Sequence, residues 1–137
     1  MRPEDTLHRA VVRRLRDPLC GLAPPWMLWH TPNSGIRRGQ NPAAFGAYMQ
    51  AMGLTAGIPD IFVLGPGRVL IGLEIKAPPA ILKNGKKSAA KPNISDAQKA
   101  AIGALCACGV PVIVVRDVDD AIAALSTLGA TFRGRSR

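Results

Sequence analysis

At 137 residues the chain is long enough for one domain with a modest core, and no internal repeat points to a second. No apolar run approaches the length a bilayer span needs, and the opening Met1-Arg2-Pro3-Glu4-Asp5 lacks the apolar segment of a secretory signal. A cytoplasmic protein outside the membrane is the expectation. Eighteen Lys and Arg against nine Asp and Glu leave a formal charge of +9; that excess favours a polyanionic partner, nucleic acid ahead of an anionic membrane surface.

The three cysteines are Cys20, Cys106 and Cys108. Cys106 and Cys108 are too close for an ordinary bridge and do not match zinc spacing, and only His8 and His30 are available to complete a metal set. Buried free thiols in a reducing compartment are the expectation.

In chain order, Pro3 suits a first helical position, and Glu4 and Asp5 suit a helix N-terminus. Leu7, Val11 and Leu15, with Ala10 beside them, form an apolar stripe, and the helix should stop near Asp17-Pro18. Arg9, Arg13, Arg14 and Arg16 occupy much of the remaining surface, as a solvated face or as phosphate contacts. Gly21 to Pro25 reads as a linker and Trp26 to His30 as a short strand. Thr31-Pro32-Asn33-Ser34-Gly35 is turn chemistry that delivers Ile36-Arg37-Arg38. Asn33 shapes that turn or reaches a phosphate or base, and Arg37 and Arg38 are candidate nucleic-acid contacts. Asn41-Pro42 then reads as the N-cap and first residue of a helix to about Met52, ended by Gly53.

Gly57-Ile58-Pro59-Asp60 leads into Ile61 to Leu64. A Gly65-Pro66-Gly67 break and the run Arg68 to Lys76 follow, which together predict an antiparallel hairpin. Alternation sets Val69, Ile71, Leu73 and Ile75 on one face and Leu70, Gly72, Glu74 and Lys76 on the other. Asp60 stands at the start of the partner strand, so two carboxylates and a lysine converge at one end of the ribbon.

Ala77 to Asn93 is long, rich in Pro and Lys and without apolar period; it reads as a flexible loop or as an arm placing Lys83, Lys86, Lys87 and Lys91 on backbone phosphates. Ser95 with Gln98 forms a capping box, and the helix it opens should bury Ala97, Ala101, Ala104, Leu105 and Cys108 before Gly109 closes it. Val110 to Val115 predicts a strand covered on both faces and parallel to a neighbour. Asp117 caps a last helix through Leu128. The expected architecture is a mixed α/β sheet flanked by helices, one domain over 1–129 with a basic tail over 130–137.

Phosphodiester hydrolysis needs a hard cation to neutralise the phosphate and acidify a water. Magnesium or manganese wants oxygen ligands, which Asp60, Glu74 and the Ile75 backbone carbonyl between the two functional side chains supply. Lys76 is placed to orient the water or to stabilise developing negative charge, its ammonium held by the same carboxylates. Glu4 and Glu74 are the chain's two glutamates; one set in an apolar strand is not there for solubility.

Pro59-Asp60 followed by Glu74-Ile75-Lys76 on the next strand resembles the PD-(D/E)XK nuclease superfamily. From Glu4 to Leu128 the chain is similar to a stand-alone VRR-NUC (virus-type replication-repair nuclease) domain. The likeness takes in Glu4, His30-Thr31-Pro32-Asn33, Gly57 to Asp60, Glu74, Lys76, the Ser-capped helix with Gln98 and the Gly-Val-Pro-Val before the last strand. It implies a restriction-endonuclease-like core in which Asp60 and Glu74 bind metal, Lys76 is catalytic, and Glu4 and Gln98 assist, Glu4 as a further metal ligand. Gln98 otherwise serves only the capping box, and Glu4 only the helix dipole. The likeness also implies magnesium- or manganese-dependent DNA cleavage, with minimal members acting as dimers on four-way (Holliday) junctions. The minimal size fits a phage or prophage gene, or a bacterial repair or restriction gene.

Overall fold

The computed structural model describes residues 1–31 and 41–134; Asn33, Arg37 and Arg38 lie outside the described residues. The elements run α1 (Pro3–Leu15), β1 (Met27–His30), α2 (Pro42–Ala51), β2 (Ile61–Gly65), β3 (Val69–Ile75), α3 (Asp96–Ala107), β4 (Val112–Val115) and α4 (Val118–Thr127), with a single 3-10 turn, Pro66–Arg68, closing the hairpin. The expected order of elements holds throughout, and so do the caps. Asn41 Oδ1 accepts from the Ala43 and Ala44 amides, Ser95 and Gln98 complete a reciprocal capping box, and Asp117 accepts from the Asp120 amide.

The four strands form one sheet in the order β1-β2-β3-β4, antiparallel except for the parallel β3–β4 pair. Directly opposed residues share a face. The pairs Leu28 with Val63, Ile61 with Leu73 and Ile75 with Val115 therefore put the predicted Ile71-Leu73-Ile75 stripe on the side that receives Leu7, Val11 and Leu15 of α1 and Ala121 and Leu125 of α4. The opposite face carries Phe62, Gly72 and Glu74, and α3 packs over β4.

Three expectations need correcting. First, Val112, Ile113 and Val114 are only half-buried, because β4 is an edge strand of the sheet. Second, α3 buries Ala101 and half-buries Gln98, Ile102 and Leu105, while Ala97, Ala104 and Cys108 are exposed. Alanines bury too little area to set a helix's rotation, and the Gln98 contacts described below set it instead. Third, the thiols are free but not buried: Cys106 and Cys108 follow that rotation to the surface and Cys20 is half-buried. After Gly129, Ala130 and Phe132 are buried, and Phe132 bridges to Leu22, so the folded chain continues into the segment expected as a tail. Arg14 turns inward, its guanidinium 5.7 Å from the Phe132 ring centroid.

Two glycines set the distances between layers. Gly72 lies under the Pro59 ring, where a Cβ would stand 2.8 Å from Pro59 Cγ. Gly57, at φ +82°, presses on the Ala97 carbonyl at the start of α3, leaving no room for a Cβ. We therefore expect Gly57→Ala to lower stability by roughly 2 kcal/mol or more, from left-handed strain plus overpacking. Gly53→Ala, also at positive φ (+101°) but facing open space, should cost only about 1 kcal/mol. Urea unfolding of the two variants checks this, and equal losses would contradict the proposed contact.

Candidate active site

Extending the β2–β3 register by one residue beyond the Ile61–Leu73 pair sets Asp60 opposite Glu74, on the face that looks toward α3. Pro59 seats this arrangement from below, fully buried on Gly72. Thr31, just past β1, holds it from the side. Its amide donates to the Asp60 carbonyl (2.9 Å), and its hydroxyl donates to the Pro59 carbonyl (2.6 Å). The Asp60 carboxylate is fixed in turn by the Ile75 amide, which donates to Oδ2 at 2.7 Å.

Glu74 is 3% exposed, the one charged side chain buried among the described residues. The Gln98 amide nitrogen donates to its Oε1 at 2.8 Å, while Oε2 is buried with no hydrogen-bond donor. Burial first, and then the adjoining Asp60 carboxylate, push the Glu74 carboxyl up to about 8, with Lys76 pulling the other way. Lys76 stands close enough to the Glu74 carboxyl to act on it electrostatically, as the sequence led us to expect. Its ammonium donates to Gln98 Oε1 at 3.1 Å, and the Gln98 amide links it to Glu74. The same Oε1 accepts the Ser95 amide at 2.9 Å and thereby completes the capping box. One Gln98 side chain thus caps α3 and also bonds to Glu74 and Lys76.

These groups open into a cavity of about 610 Å³ whose walls include Asp60, Glu74, Ile75, Lys76, Gln98 and Thr31. The N-terminus of α1 closes the far side with Glu4, Asp5 and His8, beside His30. His8 and His30 meet edge-on at 5.4 Å, and burial lowers the pKa of His8, keeping it neutral near pH 7. The cavity-lining roles of His8, His30 and Thr31 were missed in the sequence. The visible signals were His8 standing one turn after Glu4 on a helix face and the His30-Thr31 pair within the family likeness, which carried no assigned role.

Among the described residues, no group of three or more His, Cys, Asp or Glu side chains is arranged to hold a metal ion. Glu4 lines the cavity without joining Asp60 and Glu74 in such a group. Two carboxylates, one with an orphaned buried oxygen, and the neighbouring Ile75 are an all-oxygen donor set. Such a set suits a hard cation that keeps several waters. Of the basic candidates, Arg13 lies on α1 outside this cavity, and none of Lys83, Lys86, Lys87 and Lys91 lines it. Lys87 instead pairs with Asp117 at 3.4 Å, and Arg116 ties the loop down through the Ala77 and Ala90 carbonyls.

A solved structure described as a VRR_NUC domain protein superposes with a TM-score of 0.62 over 93% of this chain and 88% of its own, at 21% identity. The chain has a VRR-NUC-like fold. No family model matches the sequence, and no curated protein does. The mixed four-stranded sheet with four helices is thus the restriction-endonuclease-like α/β core expected from the Asp60–Glu74–Lys76 pattern. No helix among the described residues is long and apolar enough to cross a membrane.

A carboxyl at about 8 when folded and 4.5 when unfolded binds its proton more tightly in the native state. Its contribution therefore lowers stability as pH rises from 4.5 to 8. Glu74→Gln, which cannot ionise, should melt roughly 5 °C above the parent at pH 8 in chelator, with the gap closing toward pH 4.5. Thermal scans across that range check it; parallel pH profiles for the two proteins would contradict the raised pKa.

Proposed function

We propose that the chain is a divalent-metal-dependent endonuclease that hydrolyses phosphodiester bonds in DNA, with branched DNA such as four-way junctions as its preferred substrate. The observation that carries this reading is the opposed Asp60–Glu74 pair, with Glu74 buried and one of its oxygens without a donor. Charging both opposed groups would destabilise the sheet, and a buried carboxylate without a partner is costly, so without a cation Glu74 holds its proton up to about pH 8. Asp60, Glu74 and the Ile75 carbonyl would hold a magnesium or manganese ion, which would offset both penalties. When bound, the ion supplies charge neutralisation and an acidified water. The VRR-NUC-like fold supports a nuclease-type domain.

Within this reading the chain's own side chains divide the work. Lys76, held at the cavity by Gln98, offers its ammonium to the attacking water or to the charge growing on the phosphate. Gln98 links Lys76 and Glu74 through its two amide atoms, and Glu4 adds negative charge that draws cations inward. Cleavage should require magnesium or manganese and fall at least about 100-fold in Lys76→Ala and in Asp60→Asn. A panel of junctions, flaps and duplexes cut in parallel tests it. Activity surviving both substitutions would remove the site from the reaction, and salt-dependent binding with no cutting on any substrate would leave only a DNA-binding module.

One small domain carries one site, so symmetric cutting of two strands calls for two copies about a two-fold axis. Helix α2 carries no charged residue and makes few contacts with the rest of the described chain. Tyr48 on it is 61% exposed, and Met52 just after it 69%. An unpaired apolar helix of this kind supplies the dimer contact. Sedimentation should show a dimer that Tyr48→Glu with Met52→Glu converts to monomer. A monomer both free and on DNA would defeat the assembly.

A further inference from the structure

Helix α1 presents three adjacent stripes. Leu7, Val11 and Leu15 enter the core; Glu4, His8 and Val12 are half-buried; Arg9, Arg13 and Arg16 are exposed. Between this helix and edge strand β1 lies a second hollow of about 380 Å³. Its apolar lining is Val12 and Leu28, and Arg9, Arg13 and Arg16 stand along its wall. It adjoins the catalytic cavity, since His8, Arg9 and His30 line both.

The three arginines recur at i, i+4 and i+7, so they form one row along about 10 Å of helix axis. Like charges at that spacing repel, and among the described residues no carboxylate pairs with them. Arg14, by contrast, is committed to Phe132 and the Cys20 carbonyl. A cationic row in no salt bridge, with Asp5 acting only on Arg9 from one turn earlier, beside an apolar floor complements a chain that carries phosphates along one edge and flat apolar bases along the other.

We propose that the α1–β1 groove guides a single DNA strand adjoining the scissile phosphate, with its phosphates on Arg9, Arg13 and Arg16 and a base against Val12 and Leu28. The inference rests on the nuclease reading for the identity of the polyanion. It reassigns DNA guidance from the lysine-rich loop, where Lys87 is tied to Asp117, to the helix that also closes the active site.

The test is the salt dependence of binding between the full chain and a labelled single-stranded oligonucleotide in chelator, with folding checked by circular dichroism. Replacing Arg9, Arg13 and Arg16 together by Gln should reduce the slope of log K against log salt by about 2, since each lost phosphate contact on a single strand removes about 0.7. The triple Lys replacement should restore it, and Val12→Ser should weaken binding severalfold at unchanged slope. Gln at Lys83, Lys86 and Lys91 together should leave the slope nearly intact. A loop variant that loses as much slope as the helix variant would overturn the groove. Metal-dependent cleavage by the parent with an unchanged slope in the arginine variant would overturn the groove while leaving the nuclease reading standing. Slope loss with no cleavage by the parent would do the reverse.

Discussion

Two carboxylates face each other across neighbouring strands, and one of them is buried. The cost of charging both at once is the constraint around which the molecule is arranged. The β-hairpin register fixes the opposition of Asp60 and Glu74, and burial makes it expensive enough to hold the Glu74 carboxyl at about 8. Everything near the pair acts to tolerate it: the Ile75 amide donates to one carboxylate and the Gln98 amide to the other. What they leave over is one buried Glu74 oxygen without a donor, on a residue that lines the cavity, the feature a hard cation would use.

The site is held from three directions by elements whose own stability is local. Ser95 and Gln98 would cap α3 in any protein, yet the same Gln98 oxygen also receives Lys76. Gly57 sets α3 at backbone contact with the segment leading to Asp60, so the capped helix cannot drift without moving the hydrogen bonds to Glu74. From the opposite face of the sheet, α1 is pinned by Leu7, Val11 and Leu15 in the core, and its first two turns deliver Glu4 and His8 to the cavity mouth. Structure and chemistry share side chains here, so substitutions at Gln98 or Gly57 act on both.

Much of this was legible in the sequence because it rests on short-range rules. The hairpin, its face alternation, the three helix caps and the Asp60–Glu74–Lys76 convergence follow from period-two patterning and cap chemistry within about twenty residues. What escaped depends on how distant elements meet. The rotation of α3 was misread because its alanines carry little hydrophobic weight, and the decisive contact is polar and 24 residues away. The half-exposure of β4 depends on sheet order, which an apolar run does not reveal. His8, His30 and Thr31 reach the cavity only once β1 joins the sheet beside β2 and α1 crosses over it. The lysine-rich loop showed its charge plainly, but not that Arg116 and Asp117 fasten it down.

The most direct test of the central claim is calorimetric titration of manganese into the full-length chain near pH 7, in two buffers of different ionisation enthalpy, against Glu74→Gln. If the opposed carboxylates are resolved by a divalent ion, binding to the parent will release close to one proton, and the variant will lose both the binding and the release. Binding without proton release, or with equal strength in the variant, would contradict it.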